Sequence, residues 1–352
     1  MRVCFISTSL AGGGAERFTA NIANCLSTSG FEVYVLTGSK TPKDYKLNQN
    51  IVRLDALKAG RNIIHDIIII RRLSRKYKFD VIIGIDLTIN ICVSLANLLF
   101  KPKVIISERS APMSAPISQA SRILRSLSYP LADGYVFQTS GAMEFYSENI
   151  REKSVIIYNP IKEDLPCRNN VNKKEIVAIG RLRKEKNYEL LINAFAAICM
   201  VNQDYILRIF GDGYQYGALE KQVERIGIKD RVVFEGFCSD PHNEIVSSDI
   251  YVLTSLYEGM PNSLMEAMAM GFPVISTDCP AGGPAELIRN MENGLLIDNN
   301  NLDALINAME FYINNPEKKN EIGRKAMEIR DIVSSEVIIR QWVKYIEKVL
   351  KR

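Results

Sequence analysis

The sequence predicts an α/β protein made of two doubly wound parallel-sheet domains. Three observations carry that expectation. The chain has 352 residues, and at roughly 150 residues per domain about two cores are expected. Short apolar runs alternate with stretches of helical periodicity, the pattern of parallel strands covered on both faces. The alternation also breaks at one polar segment and then restarts.

The elements follow in order. A buried strand over residues 3–7 leads into a glycine loop at 10–14. A helix over 15–29 comes next, with Phe18, Ile22, Ala23 and Leu26 on its apolar side. Gly30 stands where a helix C-terminal glycine belongs. Further strands are expected at 32–36, 81–84, 104–107, 134–138 and 155–158. Residues 162–174 are polar, with Pro166 and Asn169-Asn170, and read as a linker. Strands then recur at 175–179, 205–210, 232–235, 250–254 and 273–277, alternating with helices at 188–200, 216–226 and from Ser263. The expected domains are 1–165 and 166–352, with ligands bound in a cleft at the carboxyl ends of the strands. A final amphipathic helix over 333–351, bearing Val337, Trp342, Ile346 and Leu350, either caps the second domain or crosses back to the first.

Composition narrows the function classes. With 47% apolar and 24% charged residues the chain is an ordinary globular one, not disordered, collagenous or a disulfide scaffold. Its seven cysteines form no Cys-x-x-Cys pair, and its two histidines have no second ligand at metal spacing. Buried reduced thiols and no metal are therefore expected. The apolar stretch 82–100 is interrupted by Asp86, Asn90 and Asn97, and the apolar start of the chain stops at glycines. A cytoplasmic chain with neither membrane span nor signal peptide is expected. A net charge of +4 does not imply nucleic acid as a partner. That total hides a split: residues 1–160 hold 20 Lys and Arg against 12 Asp and Glu, or +8, and the remainder 24 against 28, or −4.

Four loops carry candidate chemistry. The first, Ala11-Gly12-Gly13-Gly14-Ala15-Glu16-Arg17, follows a strand and opens a helix. Its amides suit an anion, although the glycine spacing is not that of a dinucleotide fingerprint; a tight turn without ligand is the other reading. The second, from Gly180 to Asn187, puts Arg181 and Lys186 at a strand end. A guanidinium fork and an ammonium suit phosphate oxygens, and a solvated charged loop is the alternative. The third is the most informative: Glu258-Gly259-Met260-Pro261-Asn262-Ser263-Leu264-Met265-Glu266. Its first carboxylate lies in the loop after a strand, and its second lies early in a helix opened by Pro261, Asn262 and Ser263. The segment thus offers acceptors for hydroxyls and helix-start amides for phosphate, while Met265, Met268 and Met270 read as core. The fourth, Thr277 to Leu287 with Gly282-Gly283, is another strand, glycine turn and helix that could face an anion.

Taken together, Gly12 to Gly14, Gly180-Arg181-Leu182, Lys186-Asn187, Gly211-Asp212-Gly213, Glu258 with Glu266, and Gly282-Gly283 resemble the retaining family-4 glycosyltransferases of the GT-B fold. The likeness covers nearly the whole chain. It implies two Rossmann-like domains facing a cleft, the first binding an acceptor and the second a nucleotide-sugar donor, expected to be a UDP-sugar. The resemblance implies that Arg181 and Lys186 hold the diphosphate, Asn187 beside them, and that these two cations with Glu258 are the catalytic groups. Glu258 and the loop Gly259, Met260, Pro261, Asn262, Ser263 and Leu264 would hold the transferred hexose or N-acetylhexosamine. Glu266 would take the ribose hydroxyls, and Gly13 and Gly14 would close over the donor. No Asp-x-Asp metal clamp is present, and neither metal nor cofactor is expected.

Within that family the first half most resembles enzymes that extend lipid-linked glycans for bacterial surface polysaccharides or glycoproteins. The residues concerned are Gly13-Gly14-Ala15-Glu16-Arg17, Ser107-Glu108-Arg109 and Ser128-Tyr129-Pro130-Leu131-Ala132-Asp133. Many such relatives carry a histidine where this chain reads Glu108-Arg109-Ser110, so Glu108 and Arg109 become the candidate acceptor contacts. A polyprenyl-linked or other lipid-linked acceptor gives the basic half a possible cause. Arg71, Arg72, Arg75, Lys76 and Lys78 follow Ile67 to Ile70 on one segment, with Lys101, Lys103, Arg122 and Arg125 elsewhere. Such a helix fits an anionic membrane surface at the inner face of the cell membrane; a solvated face of a core helix is the other reading. Two rival functions remain: a UDP-sugar epimerase of the same fold, which needs a carboxylate–histidine set, and a non-catalytic nucleotide-sugar-binding protein.

Overall fold

The computed structural model describes residues 1–11, 13–58, 62–98, 102–109, 111–113, 118–169 and 173–352. Gly12, Lys101, Ser110 and residues 170–172 of the expected linker lie outside these. The chain divides into two units: Met1–Pro160 with Ser335–Arg352, and Ile161–Ser334. The division thus falls at Pro160 rather than at Leu165. Ile161 and Leu165 are buried, and the Ile161 N–H donates to Val333 O at 3.1 Å within the second unit.

The first unit holds β1 (Arg2–Ile6), β2 (Glu32–Thr37), β3 (Val52–Asp55), β4 (Val81–Gly84), β5 (Lys103–Ser107), β6 (Gly134–Phe137) and β7 (Ser154–Ile156). They form one parallel sheet in the order β3-β2-β1-β4-β5-β6-β7. The second unit holds β8 (Glu175–Ile179), β9 (Ile206–Phe210), β10 (Val232–Gly236), β11 (Ile250–Leu253), β12 (Val274–Asp278) and β13 (Leu295–Asp298), in the parallel order β10-β9-β8-β11-β12-β13. In each sheet the order reverses once, beside β1 in the first and β8 in the second. Ligands of such sheets bind beyond the strand ends at that reversal.

The central strands are near-continuous apolar runs because helices cover both their faces; Val81 to Ile83, for example, are fully buried. Two strands, β3 and β13, escape the sequence pattern. Both are sheet edges, and their sequences Val-Arg-Leu-Asp and Leu-Leu-Ile-Asp are half-exposed. The final helix, Ser335–Leu350, packs on the first unit through Ile338, Trp342, Tyr345, Ile346 and Val349. Its packed side therefore includes Ile338 and Val349 as well, Leu350 packs half-buried against the same core, and Val337 does not join it. Trp342 lies 5.9 Å from Phe18 between ring centroids, and the Tyr135 N–H donates to the Tyr345 hydroxyl at 2.7 Å.

The polar segment read as a linker is tied to the second unit at Arg168. Arg168 donates from its backbone to Met270 O at 2.7 Å, and its guanidinium donates to Ser248 O at 2.9 Å and to Asp249 at 3.1 Å. Asp249 also accepts from the buried ammonium of Lys319 and from Tyr205. The desolvated carboxylate is thus fully paired.

Candidate active site

The second unit's sheet reverses between β8 and β11, and the loops after these two strands carry the candidate residues. Beyond β8 the chain runs through Gly180 and Arg181 into a short 3-10 turn, Lys184–Lys186. The Lys186 stem crosses Gly180, where an added Cβ would lie 3.3 Å from Lys186 Cε. Beyond β11 come Thr254, Ser255 and Glu258. The Thr254 hydroxyl donates to the carbonyls of Lys186 and Asn187 at 2.9 and 3.2 Å, tying the two loops together. The Lys186 ammonium donates to Glu258 Oε1, and Ser255 Oγ donates to the same oxygen at 2.8 Å. This pair keeps 16% exposure on each side chain, so water and solutes reach it. Arg181 is exposed, and among the described residues its guanidinium makes no hydrogen bond or ion pair. The strand reversal thus holds one cation bound to a carboxylate and a second cation open.

Asn187 has φ 51°, a left-handed conformation that asparagine tolerates. Its side chain donates to Asn300 at 3.0 Å. It also borders a cleft of about 300 Å³ lined by Arg183, Lys184, Tyr188, Gln215 and Leu256. The residues lining that cleft do not include Arg181, Lys186 or Glu258, which stand in the loops beyond the ends of β8 and β11.

The loop from Glu258 leads into the helix Asn262–Met270. Pro261 precedes it, and the first N–H groups of a helix have no acceptor within it. The N–H groups of Leu264 and Met265 both turn back to Pro261 O at 3.1 Å. Leu264, Met265, Met268 and Met270 are buried, as core residues. The Gly282-Gly283 turn braces this loop: a Cβ on Gly283 would stand 1.7 Å from Gly259 O, and the Glu258 N–H donates to Pro280 O at 3.2 Å. The fourth motif therefore acts as packing for the third. Burial, and then the charge of Glu258, push the Cys279 thiol up to about 12, so it stays protonated.

Glu266 is buried and faces His242, whose Nε2 is 3.1 Å from Glu266 Oε2. On the other side His242 Nδ1 is 2.6 Å from Asp240 Oδ1, and Lys162 donates to Asp240 Oδ2 at 2.5 Å. Burial pulls the imidazole down, but its bonds to Glu266 and Asp240 outweigh that, leaving its pKa above the usual 6.5. The bonds from Lys162 and His242 hold Asp240 down at about 2. The sequence offers no signal for this row, because the His242 and Glu266 elements meet only through the fold.

In the first unit, Gly13 precedes the helix Gly14–Thr28, which Gly14 opens. Glu108 is buried, and its Oε2 accepts from Tyr129 at 2.9 Å and Tyr146 at 3.2 Å. Arg109 stacks 3.6 Å above the Phe18 ring and 5.7 Å from that of Trp342. It donates to Ser107 Oγ at 2.7 Å and to Asn159 Oδ1 at 3.0 Å. Burial pulls its pKa down to about 9, with Glu108 pushing the other way.

The basic segment forms the helix Ile63–Tyr77, but not as the sequence suggests. Ile70 is fully buried, and Ile67 and Ile69 pack against the core. The Arg71 guanidinium donates to the carbonyls of Leu95, Ala96 and Leu98, closing the end of the helix Leu87–Ala96. The outward apolar residues are Ile64 and Ile68. A second helix, Gln119–Ser128, exposes Ile123 and Leu127. No helix among the described residues is long and apolar enough to cross a membrane.

Two family models cover most of the chain: Glycosyltransferase Family 4 matches residues 12–165, and Glycosyl transferases group 1 matches residues 163–328. The chain belongs to the family 4, group 1 glycosyltransferases. This glycosyltransferase is 27% identical over 350 residues to an uncharacterized glycosyltransferase of Haemophilus influenzae, covering 96% of this chain and 97% of that one. It is also 27% identical, with the same coverage, to the Campylobacter jejuni N-acetylgalactosamine-N,N'-diacetylbacillosaminyl-diphospho-undecaprenol 4-alpha-N-acetylgalactosaminyltransferase. Among solved structures, Anabaena HepE in complex with UDP matches it with a TM-score of 0.86 at 18% identity, covering 99% of this chain and 100% of that one. The two units of the glycosyltransferase thus share the GT-B fold.

Proposed function

We propose that the protein is a retaining, metal-independent glycosyltransferase. It moves a hexose or N-acetylhexosamine from a UDP-sugar to a hydroxyl of a lipid-linked glycan, in bacterial surface polysaccharide or glycan biosynthesis. The observation that carries this reading is the Lys186–Glu258–Ser255 cluster beside the open Arg181, at the strand reversal of the second unit. A departing diphosphate gains negative charge in the transition state while the sugar becomes oxocarbenium-like. Lys186 and Arg181 supply preformed positive charge at that point, where one such group is typically worth about 3 kcal/mol. A diphosphate would draw Lys186 from Glu258, freeing the carboxylate to accept from sugar hydroxyls. The lipid-linked acceptor follows the name of the Campylobacter relative.

An epimerase would need a histidine–carboxylate set free to move a proton. His242 lies between carboxylates, but both its nitrogens are engaged by Asp240 and Glu266 and the ring is buried. The transferase is therefore the better reading. Membrane contact is assigned to the outward residues Ile64, Ile68, Ile123 and Leu127 with neighbouring Arg72, Arg75 and Lys76, at the cytoplasmic leaflet.

The test is transfer from a panel of UDP-sugars to a polyprenyl-diphosphate glycan in the presence of EDTA, with the product's anomeric configuration read by NMR. Turnover with retention is expected, and Glu258→Ala should lower it by about a hundredfold. Inversion, or restoration only by added divalent metal, would overturn the mechanism.

A further inference from the structure

The row Lys162–Asp240–His242–Glu266 has no place in the donor chemistry above except at its last member. Its geometry is specific. A buried imidazole stands between two carboxylates, 2.6 Å from Asp240 and 3.1 Å from Glu266, and the outer carboxylate is held in turn by Lys162. A carboxylate as buried as Glu266 needs compensating donors to stay ionised and in place.

We propose that His242 is a positioning residue: as the doubly protonated imidazolium it holds the Glu266 carboxylate ready for the ribose hydroxyls of the nucleotide, so that recognition of those hydroxyls weakens as pH rises. This rests on the reading of Glu266 as the ribose-binding group.

The charged groups facing His242 are Asp240 beside it in the chain and Glu266 from the helix Asn262–Met270, with Lys162 behind Asp240. The imidazolium has two N–H donors, one for each carboxylate. The neutral ring has one. The shorter contact is to Asp240, so the remaining proton stays on Nδ1 and a lone pair on Nε2 faces Glu266. The Glu266 carboxylate then loses the His242 donor and meets a lone pair in its place, which shifts it from the position that meets the ribose. Glu266 and Asp240 raise the pH at which this happens, because they stabilise the charged ring, and Lys162 acts only by keeping Asp240 ionised.

The experiment is calorimetric titration of the full chain with UDP and with 2′,3′-dideoxy-UDP from pH 6 to 9. The quantity read is the ratio of their dissociation constants, which cancels the titration of the phosphates. Two charge-assisted hydrogen bonds to the ribose should favour UDP by about tenfold or more at pH 6. The ratio should shrink by about fivefold towards pH 9. In His242→Gln, which keeps a donor but does not titrate, the ratio should stay constant across that range. In Asp240→Asn, which removes one anion, the fall should move to lower pH. A wild-type ratio that favours UDP equally at every pH, unchanged in His242→Gln, would overturn the role of His242 and leave the donor reading intact. Equal binding of the two nucleotides at every pH would instead overturn the assignment of Glu266 to the ribose.

Discussion

Both sheets bring cations to the carboxyl ends of their strands, but they use them in opposite ways. After β5, Arg109 lies against Phe18 and Trp342 and donates to Ser107 and Asn159. After β8, Arg181 is open and Lys186 is held by Glu258 in a partly buried pair that keeps some exposure. The first arrangement spends the charge on joining the final helix to the strand ends. The second leaves charge that a ligand can take up with little reorganisation. A cation at a strand end is thus a binding group only where its partner is displaceable; buried and stacked on a ring, as Arg109 is on Phe18, it is a clamp.

The largest expected effect tests the clamp. Trp342 is fully buried among Phe18 and the first unit's core, and Trp342→Ala should cost about 3–5 kcal/mol of stability. Denaturant titration checks this; a loss within experimental error would mean that the final helix contributes nothing to the first unit. A smaller effect belongs to the cation itself. Arg109→Lys keeps a charge but loses the planar stack and the forked donors, and should cost about 1 kcal/mol. A thermal melt unchanged from wild type, with acceptor affinity lowered instead, would turn Arg109 from a clamp into a binding residue.

The smallest effect separates the units by pH. A histidine raised above its usual 6.5 contributes stability that is complete below that value and is lost as pH rises through the folded pKa. Asp240, held at about 2, contributes stability that is lost only as pH falls towards that value. The melting temperature of wild type should therefore exceed that of His242→Phe by most near pH 5, and the gap should narrow above pH 7. A gap that widens with pH would contradict the ion-pair row.

Much of this was legible in the sequence, for local reasons. Fully buried parallel strands are apolar runs, and the Glu258 to Glu266 loop and helix announce themselves through Pro261, Asn262 and Ser263. Strands β3 and β13 were not legible, because an edge strand with charged residues lacks the buried pattern. The basic helix was misread in detail: charge counting cannot show that Arg71 is occupied by carbonyls of the next helix, or that Ile64 rather than Ile70 faces outward. Ser255 stood beside the predicted strand end without a motif to mark it. His242 and Asp240 acquire their roles only when the loop after β10 meets the helix carrying Glu266, and no spacing rule encodes that meeting.

The central claim is that Lys186 and Arg181 form the diphosphate end of the donor site. Calorimetric titration of UDP into the wild type and Lys186→Ala tests it most directly. Removing the ammonium deletes a charge-assisted bond to phosphate and leaves Glu258 without its cation, so affinity should fall by at least about tenfold. Affinity for UDP unchanged within about twofold would contradict the account.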